Sequence, residues 1–222
     1  MEKEFWLERW EKEEIGFHEK EVNAYLTQFW QELHPLQGAT VFVPLCGKSV
    51  DMQWLRELGH PVLGVELSEI AARTFFKENV YTPKSCGIAK FKQYEANDIR
   101  ILCGDFFDLS RDDLAGINAV YDRASMVALP PEMRVLYVRH LVSILPPVTK
   151  ILLITFDYPQ HEMPGPPFAL SAAEVDLLYR EYAEIRLLAK VDVLAQNPRF
   201  QKRGLTSLHE SIYLISLQSK TQ

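Results

Sequence analysis

The sequence predicts an α/β fold. It is expected to have a seven-stranded mostly parallel sheet with an antiparallel last strand, helices on both faces and a helical N-terminal extension. Three observations carry this expectation. Short apolar runs alternate with helical stretches through most of the chain, which is the pattern of a parallel sheet covered on both faces. Residues 40–66 read as strand, tight loop, helix and a second strand ending in Glu66. That acid lies about twenty residues after the loop, the spacing at which a nucleotide-binding βαβ unit holds ribose hydroxyls. The last two apolar runs, 185–194 and 211–217, have no helix between them and read as an antiparallel pair.

The elements follow in order. Residues 3–34 are charged and aromatic, with Trp6, Trp10, Phe17, Tyr25, Phe29 and Trp30 at roughly helical spacings and Gly16 between two segments. They predict a helical cap and then a helix near 19–34, closed by the turn 35–38. Residues 41–43 form a short buried strand. A helix over 49–58 stops at Gly59, a C-cap glycine. Strand two covers 62–67, Ser68 is the N-cap candidate and 69–78 is the next helix. The polar stretch 81–97 reads as a surface loop or insertion. Strands follow at 99–103 and 117–121, the second ending in Asp122-Arg123. Pro131 opens a helix to about 145, as suits proline in a first turn. Strand five spans 150–156, and a proline-rich loop spans 158–168. Ser171 with Glu174 makes a capping box for a helix to about 182.

At 222 residues the chain is long for one domain and short for two. A single domain over 1–222, with 1–34 as its cap, is the simplest organisation. The apolar fraction of 47% is ordinary for a globular protein. A net charge of −6 argues against binding a phosphate backbone, so nucleic acid is not an expected partner. Cys46, Cys86 and Cys103 are an odd, sparse set, which argues against a disulfide framework and against a zinc site. No stretch reaches the length of a membrane span, and the N-terminus lacks a signal-peptide core. A cytoplasmic protein without membrane partners or a metal, working as a monomer, is expected.

An open parallel sheet binds ligands beyond the carboxyl ends of its strands. Those ends hold Leu45-Cys46-Gly47, Glu66, Asp105-Phe106, Asp122-Arg123 and Asp157-Tyr158. An ionised Glu66 has acceptor oxygens for ribose hydroxyls; the bland alternative is a charge at a helix N-terminus. Asp105 and Phe106 can take an adenine edge and face, or form an ordinary turn. Arg123 can hold a carboxylate with its forked guanidinium, or pair with Asp122 or Asp105. Trp6 and Trp10 share a helix face, either as core or as a lid offering rings to a cationic ligand. His18 carries only a weak claim to chemistry.

The segments F-W-L-E-R-W (5–10), I-G-F-H (15–18), V-P-L-C-G-K-S-V-D-M (43–52), L-G-H-P-V-L-G-V-E-L-S (58–68), Tyr121-Asp122-Arg123 and P-G-P-P-F (164–168) span nearly the whole chain. On these the sequence resembles the bacterial-type thiopurine S-methyltransferases, a family within the Rossmann-like class I methyltransferases. The P-L-C-G-K and G-P-P-F segments are the specific ones. The resemblance implies S-adenosylmethionine as methyl donor, S-adenosylhomocysteine as product and an aromatic thiol as small-molecule acceptor. It implies that Trp10, Leu45, Glu66 and Arg123 bind the cofactor, with Asp105 and Phe106 on the adenine side. Phe17 and Arg199 match positions near the acceptor, Arg199 through a weaker similarity. Arg123 is the candidate for a catalytic role. Relatives are associated with methylating selenium and tellurium species, which implies a detoxifying role.

Three other readings stand beside it. A nicotinamide-dependent oxidoreductase would also use Glu66, but the loop 44–49 lacks the glycines that admit a pyrophosphate. A nucleic-acid methylase would suit Asp157-Tyr158-Pro159, except that this tripeptide follows strand five and the net charge is negative. A non-catalytic nucleotide-binding protein on the same fold is the third.

Overall fold

The computed structural model describes residues 3–16 and 18–218. Phe17 therefore lies outside the described residues. The chain divides into two compact units, one up to Tyr121 and one from Asp122 onward.

The first unit opens with helix α1 (Lys3–Glu11), helix α2 (Ala24–Phe29) and a 3-10 turn, Trp30–Leu33. The expected helix near 19–34 is thus shorter and ends in 3-10 form. Its start is set by Asn23, whose side chain accepts from the amides of Tyr25 and Leu26. Strand β1 (Thr40–Val43), helix α3 (Asp51–Glu57), strand β2 (Val62–Glu66) and helix α4 (Glu69–Glu78) follow. Gly59, at φ +88°, turns the chain out of α3 as expected of a left-handed glycine. Ser68 caps α4 by accepting from the Ala71 amide, and the helix buries Ala71, Ala72, Phe75 and Phe76.

Strand β3 (Lys84–Ile88) and strand β4 (Phe91–Ala96) occupy the stretch expected to be a loop. They form an antiparallel hairpin, and β4 pairs antiparallel with β5 (Ile99–Cys103). The expectation of seven strands is therefore corrected to nine among the described residues. Every residue of β3 is exposed, so it has no buried face and no apolar alternation to betray it. Strand β6 (Ile117–Arg123) completes the unit, in the order β3-β4-β5-β2-β1-β6. β1 runs parallel to both β2 and β6, and β2 parallel to β5. The chain thus steps from β1 to one side and later returns to its other side, which makes the end of β1 a topological switch point.

The second unit begins with the last two residues of β6. It continues through helix α5 (Ser125–Ala128), helix α6 (Pro131–Ile144), strand β7 (Lys150–Asp157), helix α7 (Ala172–Tyr179), strand β8 (Ala183–Asp192), helix α8 (Pro198–Lys202) and strand β9 (His209–Leu217). β9 lies between β7 and β8 and is antiparallel to both. The expected antiparallel last strand is present, although β8 and not β9 takes the outer place in this trio. The sheet is mixed and not mostly parallel. The capping box forms, with the Ser171 hydroxyl accepting from the Glu174 amide at 3.2 Å.

Candidate active site

The loop after β1 is shaped by close contacts with β2. Leu45 and Gly47 both adopt left-handed backbone, at φ +45° and +53°. Glycine does so freely, whereas leucine does so at a cost of about 1–2 kcal/mol. A strained non-glycine residue at a strand end is a recognised mark of a ligand-binding turn. Between them, the Cys46 amide donates to the Val65 carbonyl at 2.9 Å, tying the loop to β2. Gly64, in the middle of β2, makes this possible. A Cβ there would lie 2.6 Å from Cys46 Sγ. Glycine weakens a strand interior, so its presence marks such a close approach.

Glu66 ends β2 with only 6% of its surface exposed. Its Oε2 accepts from the Gly47 amide at 2.8 Å and its Oε1 from the Ser68 amide at 2.7 Å. Burial pushes the carboxyl up from its ordinary value, and the amides of Ser68, Gly47 and Leu67 oppose that push. An ionised carboxylate offers about four acceptor directions, so the amides leave room for a further hydroxyl. Lys48, next in the loop, is nearly buried and reaches Glu78 at 2.6 Å, anchoring the loop to the end of α4.

Helix α1 belongs to the same arrangement. Trp10 is buried, and its ring stands 3.3 Å from where a Gly47 Cβ would sit. At the other end of α1, Lys3 pairs with Asp105 at 2.5 Å. The helix therefore runs from the end of β5 to the loop after β1. Asp105 also caps a 3-10 turn, Phe106–Asp108, accepting from the Phe107 amide at 3.0 Å. Phe106 is buried and meets Phe107 edge-on at 5.4 Å. Both residues thus have structural partners in addition to any ligand. Three of the expected cofactor residues, Trp10, Leu45 and Glu66, are brought together at the loop, while Asp105 stands at the other end of α1.

Cys46 and Cys103 are poorly suited to act as nucleophiles. Burial, reinforced by Glu66, pushes the Cys46 thiol well above its ordinary value and that of Cys103 up to about 11. Neither is a thiolate near neutrality. Among the described residues no group of three or more His, Cys, Asp or Glu side chains could hold a metal ion. No described helix is long and apolar enough to cross a membrane.

In the second unit, Arg123 is half-buried at the end of β6, followed by Ala124 in left-handed conformation at φ +72°. Arg199 is exposed on α8, its guanidinium carbon 4.9 Å from the Phe200 ring centre. Phe200 belongs to an apolar cluster with Tyr158, Met163, Val193, Leu205 and Leu208. The proline-rich loop feeds this cluster through Met163. Its Gly165, at φ +83°, has no room for a side chain, since a Cβ would lie 2.5 Å from the Phe168 ring. Two buried carboxylates, Asp51 in the first unit and Asp122 in the second, were not singled out by the sequence as anchors. Their only signal is an acid placed beside an apolar run.

The family profile described as thiopurine S-methyltransferase (TPMT) matches residues 1–218. The chain belongs to the thiopurine S-methyltransferase family. This makes it an S-adenosylmethionine-dependent methyltransferase. A thiopurine S-methyltransferase of Nitrosospira multiformis is 62% identical over 97% of this chain and 98% of its own. One from Marinobacter nauticus is 49% identical over 97% and 99%. Among solved structures, the 1,6-didemethyltoxoflavin-N1-methyltransferase of Burkholderia thailandensis, with bound 1,6-didemethyltoxoflavin and S-adenosylhomocysteine, matches with a TM-score of 0.66. Its identity is 15%, and the match covers 98% of this chain and 87% of that one. At that identity the likeness speaks for the Rossmann-like methyltransferase fold alone.

Proposed function

We propose that this family member moves a methyl group from S-adenosylmethionine to the sulfur of thiopurines or other aromatic and heterocyclic thiols. The observation that carries the cofactor assignment is the arrangement of Glu66, Gly47 and Trp10 at the end of β1. A buried carboxylate with spare acceptor directions suits the ribose hydroxyls. A left-handed Leu45-to-Gly47 turn offers backbone and little bulk, which suits an amino-acid tail in place of a pyrophosphate. A buried indole beside that turn suits the apolar and cationic parts of the cofactor. Arg123 is assigned to the cofactor or the thiolate, and Asp105 and Phe106 to the adenine side. Phe17 and Arg199 are assigned to the acceptor, as the family resemblance implies.

When bound, S-adenosylmethionine supplies an electrophilic methyl carbon on a sulfonium. The acceptor thiolate forms the new S–CH3 bond as the old C–S bond breaks, and the thiol proton leaves to solvent. The leaving group is already activated, so the protein contributes mainly alignment and exclusion of water, worth about 7–11 kcal/mol at best. Glu66 holds one end of the donor and Trp10 covers it. A cationic Arg123 or Arg199 favours the thiolate form of the acceptor. An aromatic thiol ionises readily, so no strong general base is needed. The same logic extends to selenium and tellurium nucleophiles, and a detoxifying role follows from it. We take the whole chain as one methyltransferase domain capped by residues 1–34, acting as a cytoplasmic monomer. The family match over residues 1–218 supports the single domain. The nicotinamide and non-catalytic readings have no comparable support.

The test is a product assay by mass with a thiopurine, a second aryl thiol, selenite and tellurite, using S-adenosylmethionine as donor. Methylated aryl thiols are expected. A protein that binds S-adenosylmethionine yet methylates none of these would overturn the acceptor assignment.

A further inference from the structure

Asp122 stands directly before Arg123 and has no exposed surface. Its Oδ2 accepts from the Tyr137 hydroxyl of α6 at 2.6 Å. The hydroxyl and the backbone amide of Ser125 also bond to this carboxylate. Its Oδ1 is buried without a hydrogen-bond partner. Asp122 and Ser125 are thus linked across the two residues between them, Arg123 and Ala124. Ala124 is left-handed at φ +72°, a backbone state that alanine does not adopt without restraint. The carboxylate clamps the turn on which Arg123 is mounted, and Tyr137 holds the clamp to the long helix α6.

We propose that Asp122 is a positioning residue that presents Arg123 to the cofactor by clamping the Arg123-Ala124 turn through Ser125 and Tyr137. This rests on the assignment of Arg123 to the cofactor made above. The charge is the telling feature. A structural turn could be held by a neutral side chain, whereas a buried carboxylate with one oxygen unpartnered is costly to keep. A site under functional demand retains such a cost.

The clamp has a pH signature. Burial lifts the Asp122 carboxyl to about 6, with hydrogen bonds from Tyr137 and Ser125 pulling the other way. Protonation turns an acceptor oxygen into a donor and weakens its hold on Ser125. The titratable groups that face Asp122 are Tyr137 of α6 and Tyr179 of α7, both pushed well above their ordinary values by burial. They stay neutral across the range that matters. Glu66, in the cofactor site itself, is also raised, so variants must separate the two.

The experiment is calorimetric titration of S-adenosylmethionine into the wild type, D122N, Y137F and R123A, and the D122N/R123A pair, from pH 5 to 8. Displacing a positioned group costs up to about a hundredfold, so D122N is expected to weaken binding by roughly ten- to a hundredfold at pH 8. It should also remove the part of the acid-side loss centred near pH 6. Y137F removes a hydrogen bond that lowers the Asp122 titration, so its acid limb should move to higher pH. In the R123A background D122N should add nothing. A D122N protein with wild-type affinity and pH profile, beside a weakened R123A, would overturn the positioning role alone. The same role falls if D122N keeps its full effect without Arg123. An R123A protein that binds normally would instead remove the assignment of Arg123.

Discussion

The Gly47 amide donates to Glu66 Oε2 at 2.8 Å, so the loop after β1 and the end of β2 are one bonded unit. The loop cannot move without disturbing the acid assigned to the ribose. Replacing Glu66 with alanine should remove the ribose contact and leave two amides, those of Gly47 and Ser68, without their acceptor. The expected loss is about 1–3 kcal/mol of S-adenosylmethionine binding, read by calorimetry, with circular dichroism unchanged. Normal binding by E66A would take Glu66 out of the site.

Trp10 tests whether the helix over the loop senses charge. A ring against a sulfonium is worth about 0.5–2 kcal/mol, and the neutral sulfur of the product earns none of it. W10A should therefore weaken S-adenosylmethionine more than S-adenosylhomocysteine. Equal losses for both would reduce Trp10 to apolar packing.

Gly64 and Cys46 form a pair by exclusion. G64A would place a methyl group 2.6 Å from Cys46 Sγ. Overpacking of this kind costs about 1–3 kcal/mol. The expected outcome is a lower urea midpoint for G64A and recovery of most of the loss in G64A/C46A. A double variant no better than the single one would show that the backbone, and not the thiol, forbids the side chain.

Asp51 holds the N-terminal segment to the sheet. Its Oδ1 accepts from the Asn23 amide at 2.8 Å, and its Oδ2 from the Tyr121 hydroxyl at 2.9 Å. D51A strands both donors, at about 1–3 kcal/mol each if they stay buried. Hydrogen exchange should accelerate first in α2, ahead of β1 and β2. Uniform acceleration across the unit would argue that Asp51 supports the whole core.

Asp122 should make stability depend on pH in a defined direction. Its carboxyl is raised in the fold from 3.8 to about 6. A raised group favours folding fully below the unfolded value, and that contribution is lost as pH rises through the folded value. The wild type should therefore gain on D122N as pH falls from 7 to 4, by up to about 3 kcal/mol. Urea unfolding at several pH values measures the difference, in which other titrating groups cancel. A flat difference would show that burial leaves the Asp122 carboxyl titrating as it does in the unfolded chain. Acid would thus favour the fold while loosening the turn under Arg123.

What was legible in the sequence is what local pattern encodes. The β1-loop-α3-β2 unit, the Ser68 cap of α4 and the Ser171 capping box depend on residues a few positions apart, and all three form. The twenty-residue step to Glu66 is likewise fixed by one strand, one loop and one helix. The β3 hairpin was not legible, because an edge strand exposed along its whole length has no burial to imprint a pattern. Nor was the order of β7, β9 and β8, since pairing partners are chosen by which faces can be buried together. The partners of the buried acids are long-range as well: Asp51 meets Tyr121 across seventy residues, and no spacing rule connects them. Sequence by itself determined the family and the core βαβ unit, and it nominated residues for a cofactor. Only the tertiary structure decided which carboxylates are buried and clamped and which strands pair, because burial and hydrogen-bond geometry exist only once distant segments are packed.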